Sequence, residues 1–154
     1  MIKILFVCHG NICRSPMAEF VLRDMVQKAA AAAKGPYPQF SIASAATSTE
    51  EIGNPVHHGT RNLLRRCGID TSGKRARQMT RRDYEEYDYL IGMDEWNIRN
   101  MMRIVGSDPD GKICRLLDFT GEPGDIADPW YTGDFETTYR DVVRGCKGLL
   151  EELT

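Results

Sequence analysis

No apolar run in the 154 residues approaches the roughly 20 residues that cross a bilayer, so no membrane span is expected. A secretory signal is missing as well. Met1 to Val7 is apolar but short, and Cys8 to Arg14 is polar. The expected setting is the cytoplasm, without membrane association. Charge of one sign is also lacking: 20 Lys and Arg face 22 Asp and Glu, for a net of -2. No global field therefore favours nucleic acid, and none is expected as a partner. The five cysteines include no Cys-x-x-Cys pair, there is no His-Glu-x-x-His, and His9, His57 and His58 have no ligand spacing with the cysteines. Neither a metal nor another cofactor is expected. An odd cysteine count without a signal also argues against a disulfide framework. With 42% hydrophobic residues and little net charge, the chain is not of the disordered class.

What is present is an alternation of strands and helices over one expected domain, residues 1–154, large enough to bury roughly 70% of its unfolded surface. Ile2 to Val7 reads as a buried parallel strand. Ser15-Pro16 reads as an N-cap and first helical position, opening a helix with Ala18, Val21, Leu22, Met25 and Ala29 on one stripe. Phe40 to Ala46 is a second strand. Asn54-Pro55 reads as the cap of a helix that Gly68 ends. After a polar connector and a short helical piece at Arg81 to Tyr87, Tyr89 to Met93 is the third strand. Asp94 caps a third long helix, Ile113 to Leu117 is the fourth strand, Asp118 to Gly133 is a long loop, and the last helix starts at Phe135. The architecture implied is α/β: an open four-stranded parallel sheet, order 2-1-3-4, with helices on both faces.

In such folds ligands sit at the carboxyl ends of the strands, beside the switch point. The loop there reads Cys8-His9-Gly10-Asn11-Ile12-Cys13-Arg14-Ser15. Free amides at a helix start favour an anion. Gly10 and Asn11 tolerate left-handed backbone, which turns successive amides inward. Arg14 adds a fork matched to two phosphate oxygens. Cys8, below the anion, is placed for phosphoryl transfer through a phosphocysteine. Elsewhere the readings are plainer. Lys74, Arg75, Arg77, Arg81 and Arg82 read as a solvated face, with a docking patch for an anionic substrate as the alternative. Cys67, Cys114 and Cys146 read as small buried hydrophobes. Asp94 reads only as an N-cap, and His57 and His58 as structural. Spacing alone does not choose among Asp118, Asp125, Asp128 and Asp134 as a general acid.

The segment Cys-His-Gly-Asn-Ile-Cys-Arg-Ser-Pro resembles the phosphate loop of the low-molecular-weight protein tyrosine phosphatases. Asp128-Pro129-Trp130-Tyr131 is similar to that family's Asp-Pro-aromatic general-acid loop. The resemblance covers the whole chain and implies the phosphotyrosine protein phosphatase I-like fold. It implies Cys8 as nucleophile, Arg14 as phosphate clamp and Asp128 as general acid and base. His9, Gly10, Asn11, Ile12, Cys13 and Ser15 would complete the phosphate site. Asn11, Ser15 and Ser44 would support the loop, and Cys13 would trap oxidised Cys8. Ile12, Glu50, Trp130 and Tyr131 would line the substrate cleft. The implied partners are tyrosine-phosphorylated proteins or peptides, with phosphate as product, and the implied assembly is a monomer or weak dimer. Some members carry an aromatic residue where this chain has Glu50-Glu51, and the family usually has Ser-Ala-Gly where it has Ser44-Ala45-Ala46. Sister activities are arsenate reduction, which needs a further cysteine pair absent from Gly92 to Val105, and protein-arginine phosphatase, whose members carry threonine at the Ile12 position. A phosphocysteine carrier or anion-binding module is the reading from another class.

Overall fold

The computed structural model describes residues 1–154. Its centre is β1 (Ile2–Cys8), in which Ile4, Leu5, Phe6 and Val7 are all fully buried. A strand apolar on both faces must be covered on both, and it is. Four parallel strands lie in the order β2-β1-β3-β4, with β2 at Phe40–Ala46, β3 at Tyr89–Gly92 and β4 at Ile113–Arg115. The chain leaves β1 for β2 on one side and returns to β3 on the other. The carboxyl end of β1, Cys8, is therefore the switch point.

The alternation of β1 splits the core in two. Ile4, Phe6 and Cys8 face a cluster built by α1 (Arg14–Ala32), α2 (His58–Arg66) and the closing helix α6 (Phe135–Leu153). Leu5 and Val7 face Met101 and Val105 of α4 (Glu95–Val105), with α3 (Arg81–Glu86) beside it. The expected sheet order and two-sided cover are thus found. Gly148 of α6 lies so close to the Phe119 carbonyl that an added Cβ would stand 2.1 Å from that oxygen.

Five local expectations are corrected. Ser15 does not cap α1; the helix begins at Arg14 after Cys13, because the Ser15 hydroxyl is committed to Cys8 and Asn11. The second helix starts at His58, capped by His57 Nδ1 accepting from the Gly59 amide at 3.1 Å, while Pro55 bridges to Arg75 instead. The fourth strand stops at Arg115 and tightens into a 3-10 turn over Leu116–Phe119. Cys146 is buried and Cys114 partly so, but Cys67 is exposed, because it follows the last turn of α2. The long loop is not featureless: it contains α5 (Pro129–Thr132), capped by Asp128, which accepts from the Trp130 amide at 3.0 Å. No helix is long and apolar enough to cross a membrane.

Candidate active site

The loop from Cys8 to Arg14 curls around the end of β1. Asn11 is the one non-glycine residue with positive φ, at 57°. That strain is held by a buried network. Asn11 Nδ2 donates to Ser15 Oγ at 2.8 Å and to Ser44 Oγ at 2.9 Å, and its Oδ1 accepts from the Arg77 amide at 3.2 Å. Ser44 in turn donates to Glu19 at 2.6 Å, and Glu19 pairs with Arg23 at 2.8 Å and Lys74 at 3.1 Å. Nothing local in the sequence marks Glu19 or Arg77 for this work. The Ser15 hydroxyl, which accepts from Asn11, lies 3.0 Å from Cys8 Sγ and 3.5 Å from the Ala45 carbonyl, and the Ser15 amide donates to the sulfur at 3.4 Å.

Arg14 is almost wholly buried, and its fork is fixed from the opposite side of the sheet. One nitrogen donates to Asp94 Oδ2 at 2.6 Å and to the Ile126 carbonyl at 2.9 Å; the other reaches Asp128 Oδ2 at 3.5 Å. Burial alone would lower its pKa, but the negative charge of Cys8, Asp94 and Asp128 outweighs burial and holds it above the ordinary value. Asp94 therefore does more than cap α4. Its Oδ1 accepts from the Asn97 amide at 2.8 Å while its Oδ2 anchors the arginine. Ile126, fully buried, donates its amide to the Met93 carbonyl at 2.9 Å and so pins the long loop where Asp128 meets Arg14.

A small cavity of about 110 Å³ opens above the loop. Cys8, Arg14 and Asp128 share its wall with His9, Gly10, Ile12 and Cys13, and its rim carries Glu50, Glu51, Trp130 and Tyr131. Asn11 and Ser15 sit behind that wall, in the buried network. His9 does more than lend an amide: its ring pairs with Glu50 at 2.8 Å across the mouth. Trp130 meets the His57 ring edge-on, with centroids 5.5 Å apart, and His57 stacks on Phe135 at 5.4 Å. Burial first, then the neighbouring His58, hold His57 below the usual imidazole range, so it supports that wall as a neutral ring. Cys13 is free and buried. Burial first, then the charges of Cys8 and Asp128, push its thiol up to about 12. The basic cluster does not form one face: Lys74 turns to Glu19, and Arg77 pairs with Asp83 at 3.1 Å.

A sulfur against the Ser15 hydroxyl and amide, a buried guanidinium and a carboxylate on one cavity wall fit a class: α/β enzymes that use cysteine on phosphate esters. A model of the family "Low molecular weight phosphotyrosine protein phosphatase" matches residues 3–154. The low molecular weight protein-tyrosine-phosphatase YfkJ of Bacillus subtilis is 43% identical over 155 residues, covering 99% of this chain and 96% of that protein. A Gallus gallus low molecular weight phosphotyrosine protein phosphatase is 42% identical over 155 residues, covering 97% and 94%. The crystal structure of YfkJ superposes with a TM-score of 0.91 at 41% identity, over 99% of this chain and 94% of that one. The structure of a Drosophila arginine phosphatase does so with 0.88 at 26% identity, over 99% and 98%. The chain belongs to the low molecular weight phosphotyrosine protein phosphatase family.

Proposed function

We propose that Cys8, Arg14 and Asp128 carry a two-step hydrolysis of phosphotyrosine, and of small aryl phosphates, in one domain spanning residues 1–154. The chain is a low molecular weight protein tyrosine phosphatase. The observation that carries the assignment of roles is the convergence of those three side chains on one cavity, with the Ser15 hydroxyl and amide both against the Cys8 sulfur. The substrate phosphoryl group sits on the loop amides and the Arg14 fork. Cys8 Sγ attacks phosphorus, the bond from phosphorus to the phenol oxygen breaks, and Asp128 donates its proton to that oxygen. Asp128, now a carboxylate, takes a proton from water as the water oxygen attacks phosphorus. The sulfur–phosphorus bond then breaks, releasing phosphate and restoring the thiolate.

Ile12, Trp130 and Tyr131 offer a flat apolar slot for a phenol ring, and a hydrogen-bonded guanidinium gains nothing from Ile12. This favours tyrosine over arginine as the phosphorylated side chain. Glu50 and Glu51 at the rim favour basic residues beside it. Cys13, kept as a thiol, is available to capture an oxidised Cys8 as a disulfide. We assign the chain to the cytoplasm, as a monomer or weak dimer.

The test is hydrolysis of an aryl phosphate at mildly acidic pH, with a chelator present. Cys8→Ser abolishes it, Asp128→Ala lowers it by about 10²–10⁴-fold, and the chelator changes nothing. A folded, reduced wild type without activity would leave only anion binding. Trapped phosphocysteine in Asp128→Ala that passes to an acceptor rather than to water would mark a carrier.

A further inference from the structure

A second concave surface shares no lining residue with the catalytic cavity. It is a groove of about 500 Å³ between α2 and the turn that runs from Ile69 to Arg75. Arg61, Arg65, Lys74 and Arg75 line it, against the one carboxylate of Asp70. This concentration of positive charge stands on a chain whose net charge is -2. Lys74 is already taken by Glu19 and by the Ser44 carbonyl, at 3.1 and 3.0 Å. Arg61, Arg65 and Arg75 are exposed and make no salt bridge, whereas the adjacent Arg66 pairs with Glu136 at 2.9 Å. Asp70 is turned onto its own loop, where the Ser72 amide and hydroxyl both donate to it.

An independent observation lies at the floor. Thr71 lines the groove and is only 5% exposed, yet its hydroxyl has no hydrogen-bond partner in the protein. The fully buried side-chain oxygen without a partner lies elsewhere, at Thr47, so the Thr71 hydroxyl keeps access to the groove and is free to bond a ligand oxygen there. The frame is also pre-built. Pro55 bridges to Arg75, the Ala76 amide donates to the Asn54 carbonyl at 2.9 Å, and Gly73, with φ of 85°, turns the chain.

We propose that this groove is a second anion site, for a small molecule carrying two or more phosphate groups. Three unpaired guanidiniums each offer a fork to phosphate oxygens, which one phosphate cannot fill. The volume falls in the range of small-molecule pockets, about 300–1,000 Å³. Apolar lining is limited to Pro55, Val56 and Ile69, so charge dominates recognition.

The experiment is a titration of the ¹⁵N-labelled protein with inorganic tripolyphosphate, followed by amide chemical shifts. Saturable shifts at Thr71 to Arg75 are expected, resolved from any shifts at Gly10 to Ser15. Arg61→Glu with Arg65→Glu lies on the exposed face of α2 and leaves the spectrum dispersed. It weakens the groove response by at least about tenfold, and added salt weakens the wild-type response. Thr71→Val, which changes no charge, also weakens it. Shifts only at Gly10 to Ser15, no shifts at all, or groove shifts indifferent to the double charge reversal would each overturn the proposal.

Discussion

Replacing Asp94 by asparagine separates two jobs that one carboxylate does. Oδ1 caps α4 through the Asn97 amide at 2.8 Å, and Oδ2 holds Arg14 at 2.6 Å. Asparagine caps a helix about as well as aspartate, so the first job survives. The second is lost whole, because an asparagine whose oxygen stays on the Asn97 amide turns an N–H donor toward the Arg14 N–H. A hydrogen bond to a charged group contributes about 1.5–3 kcal/mol, so its loss costs about that much. Arg14 is 3% exposed and Asp94 18%, so solvent screening trims this only slightly. The remaining partners are the Ile126 carbonyl at 2.9 Å and Asp128 at 3.5 Å, neither a charge at close contact. For a chain of this length the melting temperature falls by roughly 2–4 °C per kcal/mol, hence about 3–12 °C here. A guanidinium less firmly aimed lowers kcat by about tenfold, which corresponds to about 1.4 kcal/mol of barrier. Asp94→Ala loses the cap too and costs about 1 kcal/mol more in stability. Thermal melts and steady-state hydrolysis of an aryl phosphate on the three proteins decide the matter. Asparagine matching wild type in both would show that the Asp94 charge does not hold Arg14. Asparagine and alanine with equal melting temperatures would remove the cap from the argument.

In a Cys67→Ser background, a short exposure to iodoacetamide labels Cys8 and leaves Cys13 unlabelled, because burial and its neighbours push the Cys13 thiol up to about 12; rapid labelling of Cys13 on peptide mapping would refute this. Gly148→Ala puts a Cβ 2.1 Å from the Phe119 carbonyl oxygen, a backbone atom that cannot turn away. It should lower stability by about 1–3 kcal/mol in urea, and an unchanged midpoint would mean that α6 slides freely. Burial works to raise the Asp108 pKa, but the Tyr84 hydroxyl at 2.6 Å and the Lys112 and Ile113 amides outweigh it and hold it below the ordinary value. Its folded value lies below the unfolded one, so its stabilisation is complete above about pH 4 and is lost as pH falls through the folded value. Asp108→Asn should cost stability at neutral pH and flatten the acid limb of the stability curve; an acid limb parallel to wild type would contradict the assignment.

Features set by local pattern were readable in advance. β1 is apolar on every residue from Ile4 to Val7, and only a central parallel strand needs that. The loop after it gathers Cys8, Asn11, Arg14 and Ser15 within eight consecutive residues. What stayed hidden depends on partners distant in sequence. Asp94 looked like a cap because its second oxygen serves a residue 80 positions away. Ser15 looked like a cap because the sulfur and amide that claim its hydroxyl are brought there by the loop. Cys67 followed an apolar stripe, but the helix ends one residue before it and the side chain emerges into solvent. The basic run from Lys74 to Arg82 looked uniform, and folding divides it. Lys74 and Arg77 turn to carboxylates, while Arg75 joins Arg61 and Arg65 from another element.

The anchoring of Arg14 also bears on how the protein is made. Its three partners lie 80, 112 and 114 residues further along the chain, so the fork is aimed only after strands, crossovers and the late loop have all docked. Closing loops of that length delays such contacts relative to local helix formation. During refolding, helical signal should therefore recover before turnover does. On the ribosome, Cys8 is made well before the three groups that aim Arg14 beside it. Partial chains thus carry an exposed thiol but no competent phosphatase, and catalytic competence becomes a late readout of complete folding.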